Sequence, residues 1–152
     1  MKQILIVMLS AFIPGAFISG DAMAAGDLTE QTPIPVNVRL GDRDNNLRFF
    51  PANLVLETGK LYKLILHNPS TQKHYFSSEG FSRSVFTRKV QVMGANGKIL
   101  AEIKGVIREI EVYPGETTEW WLVPVKTGTL KDLKCTIPGH TEAGMTGTIT
   151  IQ

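Results

Sequence analysis

The chain has one cysteine and three histidines among its 152 residues, and after its first two dozen positions it has no long apolar run. A lone cysteine excludes an internal disulfide, so Cys135 is a buried thiol, a reactive thiol or a metal ligand. A net charge of +2 is too small to mark a nucleic-acid binder. No internal repeat, low-complexity tract or linker follows Gln31, which argues for one compact unit from there onward. Methionine is also sparse, and of the five present only Met93 and Met145 lie beyond residue 24.

The start of the chain reads as a secretory leader. Lys2 precedes an apolar run from Ile4 to Phe12, and Ala22-Met-Ala24 offers small residues for cleavage. Pro14, Gly15 and Gly20 interrupt the run before it reaches the ~20 residues a spanning helix needs. The expectation is a signal peptide over residues 1–24 and a single domain over 25–152, exported to the periplasm and not membrane-spanning once the leader is removed.

Beyond the leader the dominant period is two. Val36, Val38 and Leu40 alternate with Asn37 and Arg39; Tyr62, Leu64 and Leu66 alternate with Lys63 and His67; Ile149 and Ile151 alternate with Thr148 and Thr150. Each segment predicts a strand with one buried face. Trp120 to Val125 is apolar on both faces, as a strand inside a sandwich would be. Asn96-Gly97, between Lys89–Met93 and Lys98–Ile103, predicts a hairpin. Glu57-Thr-Gly59, Tyr113-Pro-Gly115 and Lys126-Thr-Gly128 punctuate the chain as turns. Only Ser78 to Phe86 departs from the pattern, with Phe81, Val85 and Phe86 spaced for a short helix or an irregular loop. The fold class expected is all-β.

The chemistry concentrates in Cys135-Thr-Ile-Pro-Gly-His140-Thr-Glu-Ala-Gly-Met145. Steps of five residues rotate successive side chains about 140° out of alignment on a helix and put them on opposite faces of a strand. Pro138, Gly139 and Gly144 break any regular element, so the three donors sit on a loop that can wrap one ion. A thiolate, imidazole and thioether suit copper, and a second histidine would complete a His₂Cys set with a weak axial methionine. His74 follows the turn Asn68-Pro-Ser-Thr-Gln-Lys73 and opens an extended segment, so it is preferred over His67, which ends a strand on its non-core face. Zinc would have to forgo Met145 or recruit Glu142. A cysteine nucleophile lacks a following helix to lower its pKa.

The chain resembles the cupredoxins, the small blue copper proteins. The resemblance rests on Leu64-x-Leu66-x-Asn68 leading into Lys73-His74-Tyr-Phe76, on Val112-Tyr-Pro-Gly115-Glu-Thr, and on Cys135-x₄-His140-x₄-Met145-x-Gly147-x-Ile149. It implies a Greek-key β-sandwich with one type 1 copper at one end, bound by His74, Cys135 and His140 with Met145 axial. Residues 77–105 are expected as a hairpin or loop insertion. Asn68 would then hydrogen-bond across to the Cys135 loop.

Lys134 and Thr136 flank the cysteine where an oxidase would carry histidines for a trinuclear cluster, so the chain is not expected to be an enzyme. Two functions remain. One is a one-electron carrier for a redox protein partner such as a cytochrome or an oxidase or reductase, with Ile137, Pro138 and Ala143 as an apolar rim. The other is copper delivery or tolerance, which a methionine- or histidine-rich tail would favour and this chain lacks.

Overall fold

The computed structural model describes residues 30–152; the expected leader lies outside them. Alternating burial produces strands where the sequence repeats in twos. β1 (Ile34–Leu40) and β4 (Tyr62–His67) bury every second side chain, and both belong to a sheet ordered β2-β1-β4-β9-β6-β7. The other members are β2 (Phe49–Phe50), β9 (Thr117–Pro124), β6 (Val85–Met93) and β7 (Ile99–Ile103). The second sheet is ordered β3-β11-β10-β5-β8. It contains β3 (Asn53–Leu56), β11 (Thr146–Ile151), β10 (Gly128–Lys134), β5 (His74–Ser77) and β8 (Glu109–Val112).

Two pairings are parallel, β1 with β4 and β3 with β11, and the rest are antiparallel. The β6–β7 hairpin forms around Asn96 and Gly97, both at positive φ. β6 pairs with β9 from Val85↔Pro124 to Met93↔Thr117, so the segment extends the first sheet, and β7 becomes its outer edge.

The two inner faces meet in a core of Val38, Leu40, Leu64, Leu66, Leu122, Ile149 and their neighbours. An aromatic cluster lies within it. Trp120 meets Phe81 edge-on at 5.3 Å and Phe76 at 6.4 Å, and Phe76 meets Phe49 at 5.8 Å. Phe81 reaches this cluster from a short helix, α1 (Glu79–Ser82), whose N-cap Ser78 accepts the Phe81 N–H through Oγ. Asp132 of β10 accepts from both Ser78 Oγ and Gly80 N at 2.7 Å and clamps the turn to the sheet. The stretch Ser78 to Phe86 thus divides into one helical turn and the start of β6, which is why its apolar spacing fitted neither period. Trp121, one residue on, points outward beneath Lys63 and Lys89, whose ammonium groups lie 5.4 and 4.7 Å from its ring.

Candidate metal centre

His74, Cys135 and His140 converge at one end of the sandwich, with one donor atom from each lying within 4.8 Å of the others. His74 arrives as the first residue of β5, where main-chain pairing to Val112 of β8 fixes its backbone. Its Nδ1 lies 4.0 Å from Cys135 Sγ, and Nδ1 of His140 lies 3.4 Å from the same sulfur. The two imidazoles stand 5.1 Å apart, centroid to centroid.

Cys135 leaves the end of β10, and the loop that follows closes on itself. Cys135 N–H donates to Met145 O at 3.0 Å, Met145 N–H donates to His140 O at 2.9 Å, and Thr141 Oγ1 donates to Cys135 O at 2.7 Å. Gly139 and Gly144 take positive φ values of 86° and 100°, which side chains rarely tolerate, and these two reversals bring Met145 back beside Cys135. Met145 is fully buried at the loop's end. The sulfur also accepts the Tyr75 N–H at 3.3 Å.

Exposure separates the four residues. Cys135 and Met145 are at 0%, His74 is at 1%, and His140, the most exposed of the four, keeps 7%. Around it Ile137 is half-buried, and Pro138 and Ala143 are exposed.

No protein-family model matches the chain, and a search of curated proteins by sequence finds no match. Solved structures do match. A multicopper oxidase from Campylobacter jejuni superposes with a TM-score of 0.59 at 17% identity, over 80% of this chain and 30% of that one. Auracyanin B superposes with a TM-score of 0.52 at 20% identity, covering 80% of this chain and 91% of the other. Auracyanin A, a "blue" copper protein from Chloroflexus aurantiacus, gives 0.50 at 18% identity, over 80% of this chain and all of the other. The chain has the cupredoxin fold. It spans 30% of the length of the oxidase, against nearly all of each auracyanin.

His67 lies away from the cluster, with Nδ1 3.0 Å from Thr117 Oγ1 and 3.2 Å from Glu116 O. Asn68 does not reach the Cys135 loop. Its Nδ2 donates instead to Gln72 O at 2.7 Å and Val112 O at 2.8 Å, and its Oδ1 accepts from Ser70 N and Oγ. The turn from Asn68 to Lys73 folds back on its own first residue, so Gln72 O, Ser70 N and Ser70 Oγ take three of the side chain's four hydrogen bonds, and Val112 O of β8 takes the fourth. Ser70, which no sequence signal marked, stands between Asn68 and His74, 2.9 Å from the imidazole Nε2.

Burial, and secondarily the charge of His140, pushes His74 down to a pKa of about 4. The folded chain therefore keeps His74 neutral where the unfolded chain, with a value near 6.5, takes up a proton. The unfolded state binds more protons between these values, so stability held above about pH 6.5 is lost as pH falls toward 4. Urea denaturation of metal-free protein should show this loss, up to roughly 3 kcal/mol from this group. A His74→Gln protein should show a shallower pH slope; an identical slope would remove the attribution.

Proposed function

We propose that the chain is an exported one-electron carrier in which His74, Cys135, His140 and Met145 hold a single copper ion. The observation that carries this reading is the convergence of two imidazole Nδ1 atoms on one buried sulfur at 4.0 and 3.4 Å. One thiolate, two imidazoles and a thioether are the donor set that suits a copper electron-transfer centre. Copper bound there would supply a Cu(II)/Cu(I) couple.

The chain's own residues supply rigidity. The β5–β8 pairing holds His74, the closed loop holds His140 and Met145, and the Tyr75 N–H holds the sulfur. Fixed donors change little between the two oxidation states, which favours fast transfer. The His140 edge offers the shortest way out, so a redox protein, such as a cytochrome or an oxidase or reductase, would dock over Ile137, Pro138 and Ala143. Lys134 and Thr136 beside the cysteine argue against a cluster-bearing oxidase, despite the oxidase among the matched structures. The leader expected over residues 1–24 supports a periplasmic location.

Adding Cu(II) to the metal-free protein is expected to give an intense thiolate-to-copper band and reversible voltammetry. A colourless protein that retains only Cu(I) and passes it to an acceptor would point to delivery. His74→Ala should remove or greatly shift the band, and His67→Ala should leave it intact. The reverse histidine result would displace His74 from the ligand set.

A further inference from the structure

The buried face of His74, remote from Cys135, is occupied by a side-chain relay. Ser70 Oγ lies 2.7 Å from Asn68 Oδ1, 2.9 Å from Gln72 O and 2.9 Å from His74 Nε2. The amide of Asn68 can be oriented only one way, because its Nδ2 sits against two carbonyls, Gln72 O and Val112 O, and a flipped oxygen would repel both. Oδ1 therefore faces Ser70 as an acceptor. A hydroxyl has one proton to give, and both Asn68 Oδ1 and Gln72 O can only accept it. The remaining contact, Ser70 Oγ to His74 Nε2, then needs its hydrogen on the nitrogen. That leaves the Nδ1 lone pair of His74 turned toward the cysteine sulfur.

The geometry points to Ser70 as a positioning residue that selects the Nε2–H tautomer of His74 and so presents Nδ1 to the metal, with Asn68 as the anchor that sets the direction of the serine hydroxyl. Packing makes the choice hard to evade. Ser70 and His74 are buried at 3% and 1% exposure. Gly41, at φ +75°, brings its backbone so close that a Cβ there would lie 2.9 Å from Nε2 and 3.2 Å from Ser70 Cβ. Hydrogen bonds of this kind, to the far nitrogen of a ligating histidine, fix its tautomer and orientation.

The relation of Ser70 to the metal rests on the copper reading, but the tautomer does not, and the test separates them. Long-range ¹H–¹⁵N spectra of the ¹⁵N-labelled, metal-free protein at neutral pH are expected to show His74 protonated at Nε2 only. Ser70→Ala is expected to give mixed tautomers at His74 and Cu(II) affinity about 10–100-fold weaker. A wild-type His74 carrying its proton on Nδ1 overturns the inference even if no variant folds. So does a Ser70→Ala protein that loses thermal stability while its tautomer and copper affinity stay unchanged, since that is what a purely structural serine would do. A wild-type Nε2–H tautomer that responds to Ser70→Ala in a protein that takes up no copper sustains the selection of the tautomer and overturns the carrier.

Discussion

Cys135→Ser protein titrated with Cu(II) is expected to stay without the intense visible band altogether, and to lose reversible voltammetry with it. The band requires a sulfur that is both deprotonated and within reach of the ion. A metal ion binds a cysteine as its thiolate, whereas a serine hydroxyl offers no sulfur to it. The environment around position 135 reinforces the contrast. The sulfur has the Nδ1 atoms of His74 and His140 and the Tyr75 N–H around it and is fully buried. Serine would place a smaller, harder oxygen in a pocket shaped for sulfur. The fold should survive: a hydroxyl can still accept from Tyr75, so the metal-free variant should lose only about 1–3 kcal/mol, measurable by urea denaturation. A blue band persisting in the serine protein would exclude the thiolate as a ligand and with it the proposed centre.

Trp120→Ala should have the largest effect on stability, about 3–5 kcal/mol by denaturant unfolding. Single domains hold about 5–15 kcal/mol in total, so this variant should approach the limit of folding at ordinary temperature. Trp120 is 1% exposed and contacts Phe76 and Phe81 edge-on, and its Nε1 donates to Thr87 Oγ1 at 3.1 Å. Removing it empties the layer beneath β5. Phe76 lies two residues beyond His74 on that strand, so the loss should also loosen copper binding. Trp121→Ala provides the comparison, because its ring lies half-buried on the outer face under two lysines. Trp121→Ala costing as much as Trp120→Ala would contradict the assignment of the core.

Much of this arrangement is legible in the sequence. β1, β4 and β11 announce themselves by strict alternation because one face of each is buried and the other is not. The donors at 135, 140 and 145 could be read as a loop because five-residue steps fit neither helix nor strand, and the glycines at 139 and 144 supply the reversals. Other parts were hidden for definite reasons. β10 buries only Leu133 fully and carries a register shift between Leu130 and Leu133, so no period of two survives along it. The parallel pairing of β1 with β4 leaves no local trace, since alternation says which face is buried and nothing about direction. Ser70 is a small polar residue in a turn, unremarkable until the backbone at Gly41 folds over it. The sequence marks Asn68 but not its partners, which are Ser70 and Gln72 in its own turn and Val112 O on β8 rather than the Cys135 loop.

The place of β11 in its sheet bears on the order of events as the protein is made. It is the last strand in chain order, yet it lies between β3 and β10, and Gly147 packs so tightly there that a Cβ would come within 2.5 Å of Ala52 O. A nascent chain lacking Thr146–Ile151 would have β3 detached from the rest of its sheet and an open core. Pairings of such long sequence separation are slow to form. Synthesis must therefore run past Met145 and through β11 before the loop from Cys135 to Met145 has a finished sheet to close on.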